Sequence, residues 1–161
     1  MHDTRHIINA VVENQPAVLS RIAGLFSGRG YNIESLNVGP CDDPHFSRMT
    51  ITLHGDAHVL EQVIKQLNKL VDVVKVFDLT SEKHIARELV LAEVGAPRVK
   101  RAEVMGIAAL YGASIVGVRE NSLTLQYVGN EEQVEDFLRL LHPYTIMNLA
   151  RSGLLSIVRN D

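Results

Sequence analysis

The chain has 161 residues, 46% of them hydrophobic and 22% charged, and a net charge of −3. That balance gives no electrostatic reason to expect nucleic acid, whose binders concentrate positive charge on one face. A single cysteine, Cys41, excludes an internal disulfide and suits a reducing, cytoplasmic setting. Along the chain, Ile7 to Val12 is a short apolar run rich in β-branched residues and reads as a strand. Asn14-Gln15-Pro16 follows as a turn, and a helix starts at Pro16 or Ala17. Val18, Ile22, Leu25 and Phe26 recur on one helical face, and Gly28 or Gly30 supplies the stop. Ile33 to Val38 and Ser47 to Leu53 read as strands around the turn-rich Gly39-Pro40-Cys41-Asp42-Asp43-Pro44. Asp56 is placed to cap a second helix, whose apolar residues run at threes and fours from Val59 to Leu70. Val71 to Phe77 closes the unit as a strand.

The same order is then repeated. Leu89 to Val94 reads as a strand, and Val104, Ile107, Ala108 and Tyr111 mark a helix ending at Gly112. Strands are expected over Ser114 to Val118 and Leu123 to Val128. Asn130 and Gln133 have the spacing of a capping box ahead of Val134, Phe137, Leu138 and Leu141. Ile146 to Leu149 and Leu154 to Val158 supply closing strands. The expectation is an α+β protein of two ferredoxin-like βαββαβ units, residues 1–79 and 80–161, joined at the polar Thr80-Ser81-Glu82-Lys83-His84. No apolar run approaches the length of a membrane span, and the opening Met1-His2-Asp3-Thr4-Arg5 has no leader-peptide pattern.

Most candidate chemistry has a simpler explanation. His54 and His58 flank a turn rather than sharing a helical face, and a metal site needs three or four convergent ligands. Ser20 lies within the first helix, away from any local base, and no nucleophile-elbow motif is present. Asp42 and Asp43 sit in a solvated turn, where nothing raises a carboxyl pKa toward acid catalysis. Gly24, Gly28 and Gly30 end a helix instead of preceding one, unlike a phosphate loop. Arg21 and Arg29 make no DNA-reading face. We therefore expect no catalytic residues and no metal site.

The strand–turn–helix corner around Asn14 is different. A helix N-terminus presents unpaired N–H groups and a positive dipole end, which suits a small carboxylate. Asn14 and Asn32 each donate and accept hydrogen bonds, as an amino acid's ammonium and carboxylate would require. Both also have ordinary roles: Asn14 as a turn former or cap, Asn32 as a residue tolerant of positive φ. On these residues alone the two readings stand level.

Three longer runs carry a family resemblance: Leu19 to Ser27 (LSRIAGLFS) followed by Arg29 to Leu36 (RGYNIESL), Ser47 to Ile51 (SRMTI), and Gln66 to Val73 (QLNKLVDV), with Ala150-Arg151-Ser152-Gly153 near the end. On them the chain resembles, end to end, the small regulatory subunit of acetolactate synthase, built from an N-terminal ACT domain and a C-terminal ACT-like domain. The resemblance implies a subunit without its own active site or cofactor. It would bind and activate the large catalytic subunit of a transferase that uses thiamine diphosphate, Mg2+ and FAD, and confer feedback inhibition by valine in branched-chain amino acid biosynthesis. It also implies a homodimer through the ACT domains, with valine between protomers held by Asn14, Ala17, Val18 and Leu19 on one side and by Asn32 and Ile33 on the other. ACT domains commonly have glycine where this chain has Ala17. If φ there is negative, Ala17 only adds a methyl to the pocket wall; if positive, the loop must shift. A sensor of another partner and a small metabolic enzyme remain the rival readings.

Overall fold

Alternation in the first apolar run places Ile8, Ala10 and Val12 on one side of strand β1 (Thr4–Glu13), all within 2% of full burial. The computed structural model describes residues 4–160; Met1 to Asp3, part of the leader-peptide reading, and Asp161 lie outside them. After β1 come α1 (Val18–Gly28), β2 (Ile33–Pro40), β3 (Phe46–Gly55), α2 (Ala57–Leu67) and β4 (Val73–Asp78). The sheet order is β2-β3-β1-β4 and all the pairings are antiparallel. Ile22 and Phe26 of α1, with Val63 and Leu67 of α2, cover the face carrying Met49, Ile51 and Leu53. Burying a side chain of this kind is worth roughly 1.5–3 kcal/mol.

Local signals set the helix ends. Asp56 accepts from Val59 N–H at 2.9 Å, the expected N-cap of α2. Gly30, at φ +70, follows α1 in the left-handed region that glycine enters freely. The second helix is shorter than its apolar spacing suggests: it stops at Leu67, and Leu70 reaches the core from a turn in which its N–H donates to Leu67 O. Val71, expected in the closing strand, is 94% exposed in that turn. Spacing registers burial, and a turn can bury a leucine as well as a helix can.

The second unit contains β5 (His84–Gly95), α3 (Arg101–Tyr111), β6 (Ser114–Val118), β7 (Ser122–Gly129), α4 (Glu131–Leu141), a 3-10 turn at His142–Tyr144 and β8 (Ile146–Arg151). Its strand order is β6-β7-β5-β8, the same pattern as the first sheet. Tyr127 and Phe137 pack with ring centroids 4.7 Å apart beside Tyr111. The capping box is formed: Asn130 Oδ1 accepts from Gln133 N–H, and Gln133 Oε1 accepts from Asn130 N–H, both at 2.9 Å. Arg151 makes a paired hydrogen bond to Glu88, which is 4% exposed and also accepts from Gly153 N–H. These contacts hold the Arg151 guanidinium even more firmly protonated than usual, chiefly through the Glu88 hydrogen bond.

A last strand, β9 (Leu155–Val158), pairs with β5. By packing, the chain divides into residues up to Ile85 together with Leu154 onward, and Ala86–Gly153. The sequence reading attached the terminal segment to the second domain, but Leu154 and Ser156 are buried in the first unit, where Asn9 and Thr50 hydrogen-bond to Ser156. Among the described residues no helix is long and apolar enough to cross a membrane.

Candidate functional site

The end of β1, the turn after it and the start of α1 enclose a cavity of about 80 Å³ in the first unit. Antiparallel pairing builds its floor. Val12 opposes Ser47 and Val38 opposes Met49, so all four side chains project from the inner face at one end of the sheet. Glu13, Asn14, Gln15, Val18 and Leu19 complete the lining. The walls are mainly aliphatic and the rim is polar, a division that suits a small molecule with an apolar side chain and a charged head.

The turn is held from both sides. Asn14 N–H donates to His45 O at 2.7 Å and Asn14 Nδ2 donates to Pro44 O at 3.0 Å, fastening it to the β2–β3 loop. In that loop Asp43 accepts from the backbone N–H and the ring of His45, and these hydrogen bonds lower its carboxyl pKa, the backbone one first. On the other side Glu13 N–H donates to Asp72 O, and Asp72 Oδ2 accepts from Arg21 Nε of α1 at 2.7 Å. Among the described residues no group engages Asn14 Oδ1, so an acceptor remains at the cavity rim.

Helix α1 begins without a side-chain cap and without an acidic residue in its first turn. Val18 N–H makes a long contact of 3.4 Å to Gln15 O, and Arg21 N–H bonds Ala17 O at 3.0 Å. Among the described residues the Leu19 and Ser20 amides between them have no capping partner, which leaves the positive end of the helix for an anion. Ala17 is the N-cap residue and has φ 67 and ψ 2. The positive-φ alternative is thus the one adopted, in a left-handed conformation that costs a non-glycine residue roughly 1–2 kcal/mol.

The structure brings Asn14, Val18 and Leu19 together, with Ala17 adjoining them. Asn32 and Ile33 are not part of this cavity. Ile33 opposes Leu53 whereas Val38 opposes Met49, and five strand residues separate the two ends by about 17 Å. Val12, Glu13, Gln15, Val38, Ser47 and Met49 were not picked out from sequence. Alternation marks the inward residues of each strand, but only the register shows which of them meet.

The matching corner of the second unit carries its own carboxylate at the helix start, beside a cavity of about 370 Å³ lined by Gly95, Pro97, Lys100, Tyr144 and Met147. Glu103 sits in the first turn of α3 and accepts from Tyr144 O–H at 2.8 Å, which raises the tyrosine pKa. Arg101 donates to Arg119 O and Glu120 O at 2.6 Å and to Ala96 O at 3.4 Å. Elsewhere, His54 Nε2 lies 3.3 Å from Glu34 Oε2, which also accepts from Arg5 Nε. Among the described residues no three His, Cys, Asp or Glu side chains converge as metal ligands.

Comparison with known proteins agrees with this architecture in both halves. Residues 8–75 match the family model described as the AHAS small subunit-like ACT domain, and residues 87–160 match that of the small subunit of acetolactate synthase. The probable acetolactate synthase small subunit of Archaeoglobus fulgidus is 46% identical over 157 residues, 98% of each chain. The acetolactate synthase small subunit of Haemophilus influenzae is also 46% identical, over 98% of this chain and 97% of its own. The crystal structure of the small subunit from Thermotoga maritima superposes with a TM-score of 0.87 at 32% identity, covering 98% of this chain and 99% of that one. The chain belongs to the acetolactate synthase small-subunit family, regulatory subunits with an N-terminal ACT domain.

Proposed function

We propose that the chain binds the catalytic subunit of acetolactate synthase in the cytoplasm, raises its activity and makes it sensitive to valine. The reaction would take place on the catalytic subunit, the bearer of thiamine diphosphate, Mg2+ and FAD. The small subunit's share is recognition and the transmission of a binding event. The observation that carries this reading is the uncapped start of α1 opening onto the aliphatic cavity at Val12, Val18 and Met49. The Leu19 and Ser20 amides would receive the carboxylate, Asn14 Oδ1 the ammonium, and the cavity the branched side chain.

The remaining residues fit a two-fold pair. Strand β2 is an edge of its sheet, and open edges favour pairing with another strand. Two copies of β2 running antiparallel about an axis at Leu36 would set Ile33 and Asn32 of the partner subunit opposite Gly39 and Pro40, next to the Val38 that lines the cavity. Such a ligand shifts the assembly only by its differential affinity for alternative pairings, typically about 1–3 kcal/mol. By linkage, the catalytic subunit must alter valine affinity by the same factor.

Reconstituting the chain with its catalytic subunit tests the reading. Activity should rise on mixing and fall on adding valine, and Asn14→Ala should need a higher valine concentration for the same inhibition. Activation without any valine response would overturn the effector assignment. Absence of activation would overturn the partner assignment. Ala17 adds a finer expectation: its methyl and left-handed backbone weaken valine sensitivity or change the preferred branched-chain effector. An inhibition curve unchanged in Ala17→Gly would dismiss it.

A further inference from the structure

The outer face of the first sheet, opposite its two helices, holds a buried polar network. Asn9 and Thr50 oppose each other across β1 and β3 and are both 0% exposed. Asn9 Nδ2 donates to Thr50 Oγ1 at 3.2 Å and to Ser156 O at 2.8 Å, while Asn9 Oδ1 accepts from Arg48 Nη1. Ser156 N–H in turn donates to Thr50 Oγ1 at 3.2 Å. The terminal segment Leu154 to Val158 thus lies as a strap on this face, with Leu154 1% and Ser156 2% exposed. Arg159 N–H, donating to Lys83 O at 2.9 Å, fastens its far end.

The strap and the cavity share two strands. On β3, Ser47 and Met49 line the cavity, whereas the alternate residues Arg48 and Thr50 belong to the network under the strap. On β1, Asn9 faces the strap while Val12 lines the cavity. Successive residues of a strand point to opposite faces, so a shift of β3 moves both sets together. The interface is also polar. Buried amides and hydroxyls fit only when their partners are in place, and this fixes the strand more sharply than apolar contact does. Water could take over those hydrogen bonds if the strap lifted, so the contact is separable without loss of the sheet.

The geometry points to the strap as a positioning element for the effector cavity: Asn9, Arg48 and Thr50, closed by the backbone of Ser156, set the placement of Ser47 and Met49 from behind. This inference rests on the effector reading of that cavity. Arg48 and Thr50 are positioning residues and touch no ligand.

The test uses the full-length chain, with Thr50→Val removing the hydroxyl and Ser156→Pro removing the strap's N–H. Ser156→Pro changes only the strap, removing its N–H and its hydroxyl from the network, and carries the test if Thr50→Val fails to fold. Val63→Ala, on the buried face of α2, is the control for general destabilisation. Calorimetry should show valine binding weakened about five-fold in both strap variants, with faster amide exchange at Ser47 to Thr50. The control should lower the Tm and leave the affinity unchanged. Folded strap variants that bind valine as tightly as the parent would overturn the inference, as would an equal loss in the control. If the parent chain itself gives no valine binding, the effector reading fails and this inference goes with it, a result distinct from the other two.

Discussion

Two corners of the molecule have the same topology and border a cavity, but their helix starts differ in charge and hydrogen bonding. Each unit runs from its first strand through a short turn into an 11-residue helix. At α3 the third helical residue is Glu103, and Arg101 ties the corner to the carbonyls of Ala96, Arg119 and Glu120. At α1 the third residue is Ser20, the cap is Ala17, and the first turn holds no acidic residue. A helix dipole attracts negative charge from whatever source supplies it. Where the chain provides its own carboxylate, the helix end is already engaged; where it does not, the helix end is available to a ligand. Duplicating a fold duplicates its dipoles without duplicating its sites.

The sharpest way to break this contrast is to make the first corner like the second. Ser20→Glu places a carboxylate at the position equivalent to Glu103, and the like-charge clash with a bound carboxylate should weaken valine binding by about 100-fold. Isothermal calorimetry reads this directly, while a retained or slightly raised Tm separates it from misfolding. An unchanged affinity would mean that the helix start does not receive the ligand. The converse change, Arg101→Ala, should destabilise the second unit by about 2 kcal/mol through its lost carbonyl contacts, visible in denaturant unfolding. Valine affinity should not move, and if it does the two corners are not independent.

Smaller effects sharpen the picture. Ala17→Gly removes the left-handed penalty but adds freedom to the unfolded chain, so a net stabilisation of about 0.5 kcal/mol is expected in denaturant unfolding. A loss of stability instead would place Ala17 outside the left-handed region in solution. The smallest effect concerns pH. The Asp43 pKa is lowered by hydrogen bonds from His45. Its contribution is therefore complete above the ordinary aspartate value of about 3.9 and is lost as pH falls through the lowered folded value. Amide exchange at His45, followed between pH 6 and 2 in roughly unit steps, should accelerate only at the acidic end. Acceleration near neutrality would assign the loop's order to another group.

Much of this was legible in the residue order. Periodicity located the strands and helices of both units, Asp56 marked one helix start, and the Asn130 and Gln133 spacing marked another. The corner at Asn14 to Leu19 could be recognised because a turn followed by an uncapped apolar helix is a local pattern. Leu70 and Val71 misled because a buried leucine in a turn mimics the next position of a helix. Asn32 and Ile33 could not be placed against Asn14, since they lie at the other end of the sheet from the cavity.

What the linear chain determined by itself is whatever depends on neighbours a few residues apart: the βαββαβ order, its repetition, the helix caps and the absence of an acid at the start of α1. Tertiary structure alone decided the pairing of Val12 with Ser47 and of Val38 with Met49, the left-handed backbone at Ala17, and the return of Ser156 to Asn9 across 147 positions. These rest on strand register and long-range hydrogen bonding. Such contacts form only when the whole sheet is assembled, because each gains its energy from burial that no local segment can achieve alone.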